Sequence, residues 1–366
     1  MTRHSKEIPP ENLYLRGARS QIQGRFEKAA REEFDDGWTA EEKSETELKT
    51  HVTIERARSI VSTNDSPDVG FDRSINPYRG CEHGCIYCYA RPSHAYLELS
   101  PGLDFETKLF AKTNAAELLR ETLARPGYAP QPIALGANTD CYQPIERKYR
   151  ITRQILEVLA ECEHPVTLVT KSALVERDLD LLGPMGRKNL VKVFVSIGTL
   201  DRELARKLEP RAASPQRRLD VLRNLSKNQV PCGVMVAALI PALNDKTMEQ
   251  VLEAAAQAGA SEAAYVIMRL PNELKDLFKE WLAAHYPQRA EHVISIVRQM
   301  RGGRDNDPNF GSRMTGTGNY AELMEKRFDL ACRRFGLNGH GAPRQRAELD
   351  CTRFRPPSLG GQMPLF

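Results

Sequence analysis

The amino-acid sequence predicts an α/β fold, a partial (β/α)6 barrel of the TIM type with an extension at each end. Short, continuous apolar runs recur between residues 70 and 270, and amphipathic helical patterns separate them. Continuous rather than alternating hydrophobicity is typical of strands buried on both faces, as in a parallel sheet covered by helices. Six such units favour a partial barrel over a flat, doubly wound sheet. We expect the barrel over residues 70–300, an N-terminal extension over 1–69 and a C-terminal part over 301–366.

Each β/α unit can be followed along the chain. The predicted strands are GFDRSINPY (70–78), PIALGA (132–137), VTLVT (166–170), LVKVFVSIG (190–198), CGVMVAALI (232–240) and AAYVIMRL (263–270). The helical patterns between them are RQILEVLAEC, ALVERDLDLL, SPQRRLDVLRNLSK and TMEQVLEAAAQAG, and the last ends at Gly259, as a helix stop would. Neither a G-x-G-x-x-G nor a P-loop motif follows any strand, so dinucleotide and NTP binding have no support.

The two ends of the chain differ from the barrel in composition. The N-terminal extension includes FEKAAREEFDDGWTAEEKSETELKT, which is typical of solvated polar sequence. The stretch MRGGRDNDPNFGSRMTGTGNYAELMEKRF predicts a long loop that leads into a helix from about Tyr320. A loop of this length often covers an active site. The final LDCTRFRPPSLGGQMPLF is rich in Pro and Gly and predicts a surface tail.

Composition and charge limit the class of protein. The 366 residues carry 52 Lys plus Arg against 48 Asp plus Glu, a net charge of +4, which does not by itself indicate nucleic-acid binding. No apolar run is long enough for a membrane helix, and the first residues lack the apolar segment of a signal peptide. We therefore expect a cytoplasmic protein without membrane contact, where reducing conditions favour metal binding or catalysis for clustered thiols.

The stretch RGCEHGCIYCYARP (79–92) gathers Cys81, Cys85 and Cys88 in the loop after the first predicted strand. Loops after strands form the active-site face of such barrels. Three thiolates can hold three irons of a [4Fe–4S] cluster and leave one iron open for a reactant. The alternative is a zinc site with His83 or a distant cysteine as fourth ligand, although the chain has no second C-x-x-C pair.

The spacing of these cysteines resembles a known signature. Cys81-x3-Cys85-x2-Cys88, with the aromatic Tyr87 before the last cysteine, is similar to the CxxxCxϕC motif of the radical S-adenosyl-L-methionine (radical SAM) superfamily. Over roughly residues 70–300 the chain also resembles the spore photoproduct lyase-like branch, often labelled DNA repair photolyases. The stretches that carry this resemblance are INPYRGCEHGCIYCYAR, FETKLFAKTNAAELL, GANTDCYQPIE, VTKS, SIGTLD, LEPRAASPQRRL and IPALND.

The resemblance implies a mechanism, two cofactors and a partner. In the family, the amino and carboxylate groups of SAM chelate the open iron of a [4Fe–4S] cluster. The reduced cluster then cleaves SAM to methionine and a 5′-deoxyadenosyl radical, which abstracts hydrogen from the substrate. A barrel interior shields such a radical from solvent and side reactions. The implied partner is an electron donor such as flavodoxin or ferredoxin.

The resemblance also assigns roles to single residues. Tyr87 matches the aromatic residue that packs near the SAM adenine, and Tyr89 matches a tyrosine near the substrate cavity. Polar SAM contacts at the ends of predicted strands are matched by Thr139, Lys171 and Ser196. Arg211, in LEPR, is a candidate for the SAM carboxylate, because a guanidinium suits bidentate carboxylate binding. The alternative for these side chains is an ordinary core or surface role.

The hydrogen donor of photoproduct lyases has no counterpart at its expected position. Their ACTSD motif aligns with GANTD, so Ala137 stands where those enzymes carry the cysteine that returns a hydrogen atom to the repaired base. Cys141, one residue after Asp140, is the nearest thiol in sequence and is a candidate catalytic residue. The alternative for Cys141 is a thiol packed under the loop.

Two classes of function are compatible with these observations. The first is a radical SAM enzyme that acts on nucleic acid or another large substrate. The second is a non-catalytic iron–sulfur or zinc-binding module that holds a nucleic-acid or protein partner. Arginines in ERKYRITR, PRAASPQRRL, CRRFG and PRQRAELDCTRFRPP would suit phosphates, whereas the accompanying acidic residues favour solvated faces. Release of 5′-deoxyadenosine from SAM would distinguish the enzyme from the module.

Overall fold

The computed structural model describes residues 16–27, 48–340 and 348–358. The strands are β1 (His51–Glu55), β2 (Val61–Thr63), β3 (Arg73–Ile75), β4 (Tyr78–Arg79), β5 (Lys108–Lys112), β6 (Ile133–Leu135), β7 (Val166–Thr170), β8 (Val191–Ser196), β9 (Cys232–Leu239) and β10 (Glu262–Ile267). The α-helices are α1 (Asp104–Thr107), α2 (Ala115–Leu123), α3 (Glu146–Tyr149), α4 (Ile151–Glu161), α5 (Leu179–Arg187), α6 (Arg202–Leu208), α7 (Pro215–Lys227), α8 (Met248–Gln257), α9 (Leu274–His285), α10 (Pro287–Gln299) and α11 (Asn319–Phe335). Within this described part of the chain, no helix is both long and apolar enough to span a lipid bilayer.

A seven-stranded sheet forms the barrel, in the order β10-β9-β8-β7-β6-β3-β2. Six of these strands run parallel, and β2 pairs antiparallel with β3 at one edge. The parallel strands are neighbours in the same order as in the sequence, whereas a doubly wound sheet reverses its order at a switch point. Among the described strands, the two edge strands β2 and β10 do not pair with each other, so the barrel is open on one side. The predicted partial (β/α)6 barrel is confirmed.

Five of the six predicted strands coincide with β6 to β10. The first prediction, over residues 70–78, covers two strands instead: β3 stays in the barrel, and β4 joins a second sheet of order β1-β5-β4. Pro77 lies between the two strands and has no N–H to donate to a sheet ladder. The second sheet supports the loop of the three cysteines, because β4 leads directly into it.

The helices of the barrel begin and end at the residues that local chemistry favours. Asp201 caps α6, since its Oδ1 accepts from the backbone N–H groups of Glu203 and Leu204 at 2.9 and 3.1 Å. Ser214 caps α7, which has a proline in its first turn. Gly259 follows α8 with a φ of +96°, as predicted for a helix stop. Because the six strands are parallel, the polar residues that follow them lie at one edge of the sheet.

The N-terminal segment takes part in both sheets. Strands β1 and β2 lie within residues 48–69, and the backbone N–H groups of Gly17 and Ala18 donate to Glu106 at 3.0 and 2.8 Å. Most of the predicted solvated stretch, residues 28–47, lies outside the described residues, as do residues 341–347 and the last part of the predicted tail, 359–366.

The predicted long loop, residues 301–318, crosses the open side of the barrel. Ile267, at the end of β10, donates its N–H to the carbonyl of Met314 at 2.9 Å. On the other side, Arg313 pairs with Asp68, which lies in the connection between β2 and β3. The loop therefore joins the last strand of the barrel to the first ones. Helix α11 follows it, begins one residue before the predicted Tyr320, and packs against α8.

Candidate active site

The three cysteines lie in the loop that follows β4. Cys81 and Cys85 are buried, Cys88 is partly exposed, and none of the three forms a disulfide. Gly84, within the loop, has a φ of +66°, and a Cβ there would lie 2.7 Å from Glu106 Oε2. Only glycine adopts this backbone without strain. The residues between the cysteines thus determine the shape of the loop.

A buried ion pair braces the cysteine loop. Arg91 donates to the carbonyls of Cys85 at 2.9 Å and Gly84 at 3.1 Å, and it pairs with Glu106. Both side chains of the pair are fully buried. Arg91 and Glu106 lie in the family-like stretches YCYAR and FETK, but no sequence pattern indicates that they pair.

The cysteine thiols fit a metal cluster as ligands. Burial raises the pKa of the Cys81 thiol well above its usual value, and Asp140 adds to this effect. Burial also raises the pKa of Cys85 to about 12, although the Lys171 ammonium opposes the shift. Such thiols are protonated at neutral pH unless a metal binds them. Among the described residues, no three Cys, His, Asp or Glu side chains meet around a single ion, whereas a [4Fe–4S] cluster takes each thiolate on a separate iron.

Asp140 connects the cysteine loop to β7. Its carboxylate accepts from Thr170 Oγ1 at 2.8 Å and from the backbone N–H of Lys171 at 2.7 Å. His83 Nδ1 lies 3.2 Å from Asp140 Oδ2. Burial alone would raise the pKa of Asp140, but His83 and these hydrogen bonds lower it to about 2. The zinc alternative would therefore have to use the other ring nitrogen of His83.

Three of the predicted SAM contacts meet in one network, which we call the Lys171 network and which is buried except at the partly exposed Lys171. Its members are Tyr87, Lys171, Ser196, Glu209 and Arg218. The Tyr87 hydroxyl donates to Glu209, and the Lys171 ammonium lies 5.9 Å from the centre of the Tyr87 ring. Arg218 pairs with Glu209 and donates to the Ser196 carbonyl at 2.8 Å. The strand ends thus bring together residues that are far apart in sequence.

The charges of the Lys171 network leave it positive. Burial would raise the pKa of Glu209, but Arg218 and Lys171 lower it. Burial would lower the pKa of Lys171, but Cys85 and Glu209 raise it. Within the network, two cations therefore share one carboxylate, and Asp140 acts on Lys171 from outside it. The excess cation within the network suits an anionic group beside it. Glu209 and Arg218 are not among the residues predicted from the sequence, although both lie in the family-like stretch LEPRAASPQRRL.

The two other predicted SAM contacts lie beside the cysteine loop but outside this network. The Thr139 hydroxyl is buried and donates to the carbonyl of Tyr78 at 3.0 Å. Arg211 Nη2 lies 3.2 Å from Glu82 Oε1, and the backbone N–H of Arg211 donates to the carbonyl of His83. Their roles as SAM contacts stay predictions.

The two candidate catalytic residues lie on different sides of the loop after β6. Tyr89 is 50% exposed, and its hydroxyl donates to the carbonyl of Ala137, the donor-cysteine position of the lyases. Cys141 is fully buried in the hydrophobic core of the barrel, and burial raises the pKa of its thiol well above the usual value. A Cβ on Gly136 would lie 3.5 Å from Cys141 Sγ, so the thiol packs beneath the chain.

Comparison with known proteins supports the family and the fold. The family model of the Radical SAM superfamily matches residues 75–255. An uncharacterised protein of Mycobacterium tuberculosis is 37% identical over 231 residues, which are 63% of this chain and 68% of that protein. An uncharacterised protein of Methanocaldococcus jannaschii is 25% identical over 246 residues, 67% of this chain and 88% of that protein. The chain belongs to the radical SAM superfamily.

Solved structures of spore photoproduct lyase share this fold. One, complexed with dinucleoside spore photoproduct, has 16% identity and a TM-score of 0.58, with 80% of this chain and 82% of the lyase covered. A variant with bound AdoMet (SAM) and dinucleoside spore photoproduct has 17% identity and a TM-score of 0.59, with the same coverage. Membership of the superfamily implies an enzyme that uses SAM and an iron–sulfur cluster.

Proposed function

We propose that the protein binds a [4Fe–4S] cluster through Cys81, Cys85 and Cys88 and cleaves SAM reductively. The observation that supports this most is the placement of three free thiols at the barrel edge, beside the positively charged Lys171 network. The cluster and SAM, when bound, supply a 5′-deoxyadenosyl radical for hydrogen abstraction. The chain itself holds the cluster, orients SAM and excludes water from the barrel interior.

The residues of the Lys171 network have separate tasks in this proposal. Lys171 offers its ammonium to the carboxylate of SAM, because Glu209 and Arg218 already compensate each other. Tyr87 presents its ring to the adenine, with its hydroxyl fixed by Glu209. Ser196 supplies a hydroxyl at the end of β8. Because these charged side chains are already held in place, they need not reorganise during the reaction.

Anaerobic reconstitution tests the proposed function. The protein should bind four irons and four sulfides per chain and release 5′-deoxyadenosine from SAM when dithionite is added. A triple alanine variant at the three cysteines should lose the cluster, whereas Cys351→Ala, at a partly exposed thiol elsewhere, should keep it. Stoichiometric zinc without iron or sulfide would contradict the proposal and support the binding module.

We further propose that the substrate is a nucleic acid, which binds where exposed aromatic rings and arginines lie together. We call this surface the arginine–aromatic face, formed by Tyr89, Arg269, Phe310 and Arg313; Arg301 is buried and bonds to the backbone that carries these residues. The Arg269 guanidinium lies 6.0 Å from the centre of the Tyr89 ring, and that of Arg313 lies 4.4 Å from the centre of Phe310. Both rings are at least half exposed. Stacking rings and basic groups are what single strands require.

The charges of this face are compensated in part, since Arg313 pairs with Asp68. Arg301 donates to the carbonyls of residues 268, 312 and 313. Burial lowers the pKa of Arg301 to about 10, and the nearby Arg269 adds to the effect. Burial also lowers the pKa of Arg269, with a contribution from Arg313. A phosphate bound at the surface would relieve the repulsion between Arg269 and Arg313.

A single-stranded oligonucleotide tests the substrate proposal. Phe310→Ala should weaken its binding about tenfold, since a stacked base is lost. Leu330→Ala, at an exposed apolar residue on α11, should leave binding unchanged. Deuterium placed on the bound strand should appear in 5′-deoxyadenosine. If SAM is cleaved but neither DNA nor RNA binds, the substrate belongs to another class.

A further inference from the structure

A second group of basic side chains lies on the sheet β1-β5-β4, and we call it the basic pocket. It is a cavity of about 370 Å³ whose charged lining is Arg56, Arg58, Arg79, Lys112 and Glu55. Arg79 pairs with Glu55 through two hydrogen bonds, both of 2.9 Å. Four cations therefore surround one carboxylate.

The positive charge of the basic pocket has little compensation. Of these four cations, Arg79 alone forms an ion pair with a described residue. Arg56 and Arg58 are exposed. Burial lowers the pKa of Lys112, and Arg79 adds to this shift while Glu55 opposes it. Counted over the described residues, the pocket thus has an excess of positive charge, and such a surface attracts an anionic partner.

The basic pocket adjoins the loop that carries the cysteines. Arg79 is the last residue of β4, and only Gly80 separates it from Cys81. Two residues span at most about 7 Å between Cα atoms. The β4 strand is held in register by Arg79 opposite Phe110 on β5, the strand that ends at Lys112. A partner seated on the pocket would therefore lie beside the proposed cluster.

We propose that the basic pocket docks an acidic one-electron carrier protein, a low-potential flavoprotein or iron–sulfur protein, which reduces the cluster. This inference rests on the proposed function. In each turnover the carrier loses one electron, and the electron enters the carbon–sulfur bond of SAM that breaks, giving methionine and the radical. The electron balance of SAM cleavage requires one electron from a reductant, which the carrier supplies.

The chemistry of the lining favours a protein over a nucleic acid as the partner. The pocket contains no aromatic side chain among the described residues that line it, so bases would have no ring on which to stack. Complementary charge between proteins mainly accelerates their association and falls with ionic strength. An acidic carrier that must associate and dissociate in every turnover benefits from this property.

Charge reversal tests the docking proposal. In Arg56→Glu/Arg58→Glu, formation of 5′-deoxyadenosine with reduced flavodoxin should fall about tenfold or more, because steering is lost. With dithionite, a small reductant that needs no docking surface, the rate should equal that of the parent. Arg333→Glu/Arg334→Glu, at exposed arginines on α11, makes the same change in net charge and should leave both rates unaltered.

The outcomes separate the two proposals. If the parent protein forms no 5′-deoxyadenosine with dithionite, the proposed function is wrong. If the parent is active but both charge-reversal variants use flavodoxin equally well, the docking site is wrong. Loss of oligonucleotide binding instead of flavodoxin use would make the pocket a nucleic-acid site and would also contradict the proposal. In the parent, added salt should slow the flavodoxin-driven rate and spare the dithionite-driven rate, a result that needs no variant.

Discussion

At the scale of single residues, Glu209 organises the proposed cofactor site. It accepts from the Tyr87 hydroxyl, pairs with Arg218 and lowers the cost of burying the Lys171 ammonium. A carboxylate between two cations holds both of them in place without neutralising the pair completely. The free positive charge then belongs to Lys171, which is the group best placed to attract an anion.

Lys171→Ala should weaken SAM binding about tenfold or more, because a buried charge-assisted contact is lost. The visible absorbance of the reconstituted cluster should not change, since the lysine is assigned to SAM and not to iron. Isothermal titration with SAM and an absorbance spectrum measure the two effects. Lys188→Ala, at a lysine that pairs with Glu163, is the control. Equal SAM affinity in the Lys171 variant and the parent would show that the assignment is wrong.

Asp140 should make the stability of the protein depend on pH in acid. Its pKa in the folded protein, about 2, lies below the ordinary value of 3.8, so the charged carboxylate favours the folded state. This stabilisation is complete above pH 4 and is lost as the pH falls towards 2. It amounts to roughly 2 kcal/mol. Urea unfolding of Asp140→Asn should therefore vary less between pH 4 and 2 than that of the parent.

Asp329→Asn, at an exposed aspartate on α11, is the control for this measurement. Its unfolding curve should follow the parent at every pH. A parent-like pH dependence in Asp140→Asn would mean that His83, Thr170 and Lys171 do not stabilise the charged carboxylate as the structure indicates.

At the scale of elements, the cysteine loop depends on its glycines. Gly84→Ala introduces a Cβ at a φ of +66°, 2.7 Å from Glu106 Oε2. Backbone strain of this kind costs about 1–3 kcal/mol, and the displaced Glu106 would release Arg91 from the loop. We expect lower iron content after reconstitution and a lower melting temperature.

Gly127→Ala is the matched control, because Gly127 has a φ of +76° but no atom within 4 Å of an added Cβ. This variant should lose some stability through strain alone and keep its iron. If both variants retain full iron content, the contact between Gly84 and Glu106 is not needed to shape the loop.

At the scale of the whole molecule, the barrel is that of a radical SAM protein, and the resemblance of GANTD to the lyase motif predicts Ala137 at the position of the lyase hydrogen donor. We therefore expect SAM cleavage without repair of the thymine photoproduct. Cys141 should not replace the missing donor, since its thiol is buried under the loop. The measurement is to incubate the reduced protein with SAM and DNA containing the photoproduct, and to quantify 5′-deoxyadenosine and restored thymines.

Cys141→Ala should leave the rate of SAM cleavage unchanged. Cys162→Ala, at another buried cysteine, is the control for loss of packing. Multiple-turnover repair by the parent would contradict the prediction, and loss of that repair in Cys141→Ala alone would identify Cys141 as the donor.

The fold could be predicted because its signals are local. Each strand from β6 to β10 is a short apolar run, and the helices between them repeat at helical spacing with caps such as Asp201 and Ser214. The signal for the candidate ligands is local too, since Cys81, Cys85 and Cys88 lie within one loop, and their role as cluster ligands stays a prediction. The split of the first strand was missed, because the change of sheet after Pro77 depends on pairing with β5.

The sequence by itself determined the order of the barrel strands, the cysteine loop and the presence of polar residues at strand ends. The tertiary structure alone decided which partners those residues meet. Tyr87 and Glu209 are separated by 122 residues, and Arg313 and Asp68 by 245. The basic pocket likewise combines side chains from and beside three strands of the second sheet. Hydrophobic period and ligand spacing are properties of neighbouring residues, whereas a buried charge finds its partner only when distant segments pack together.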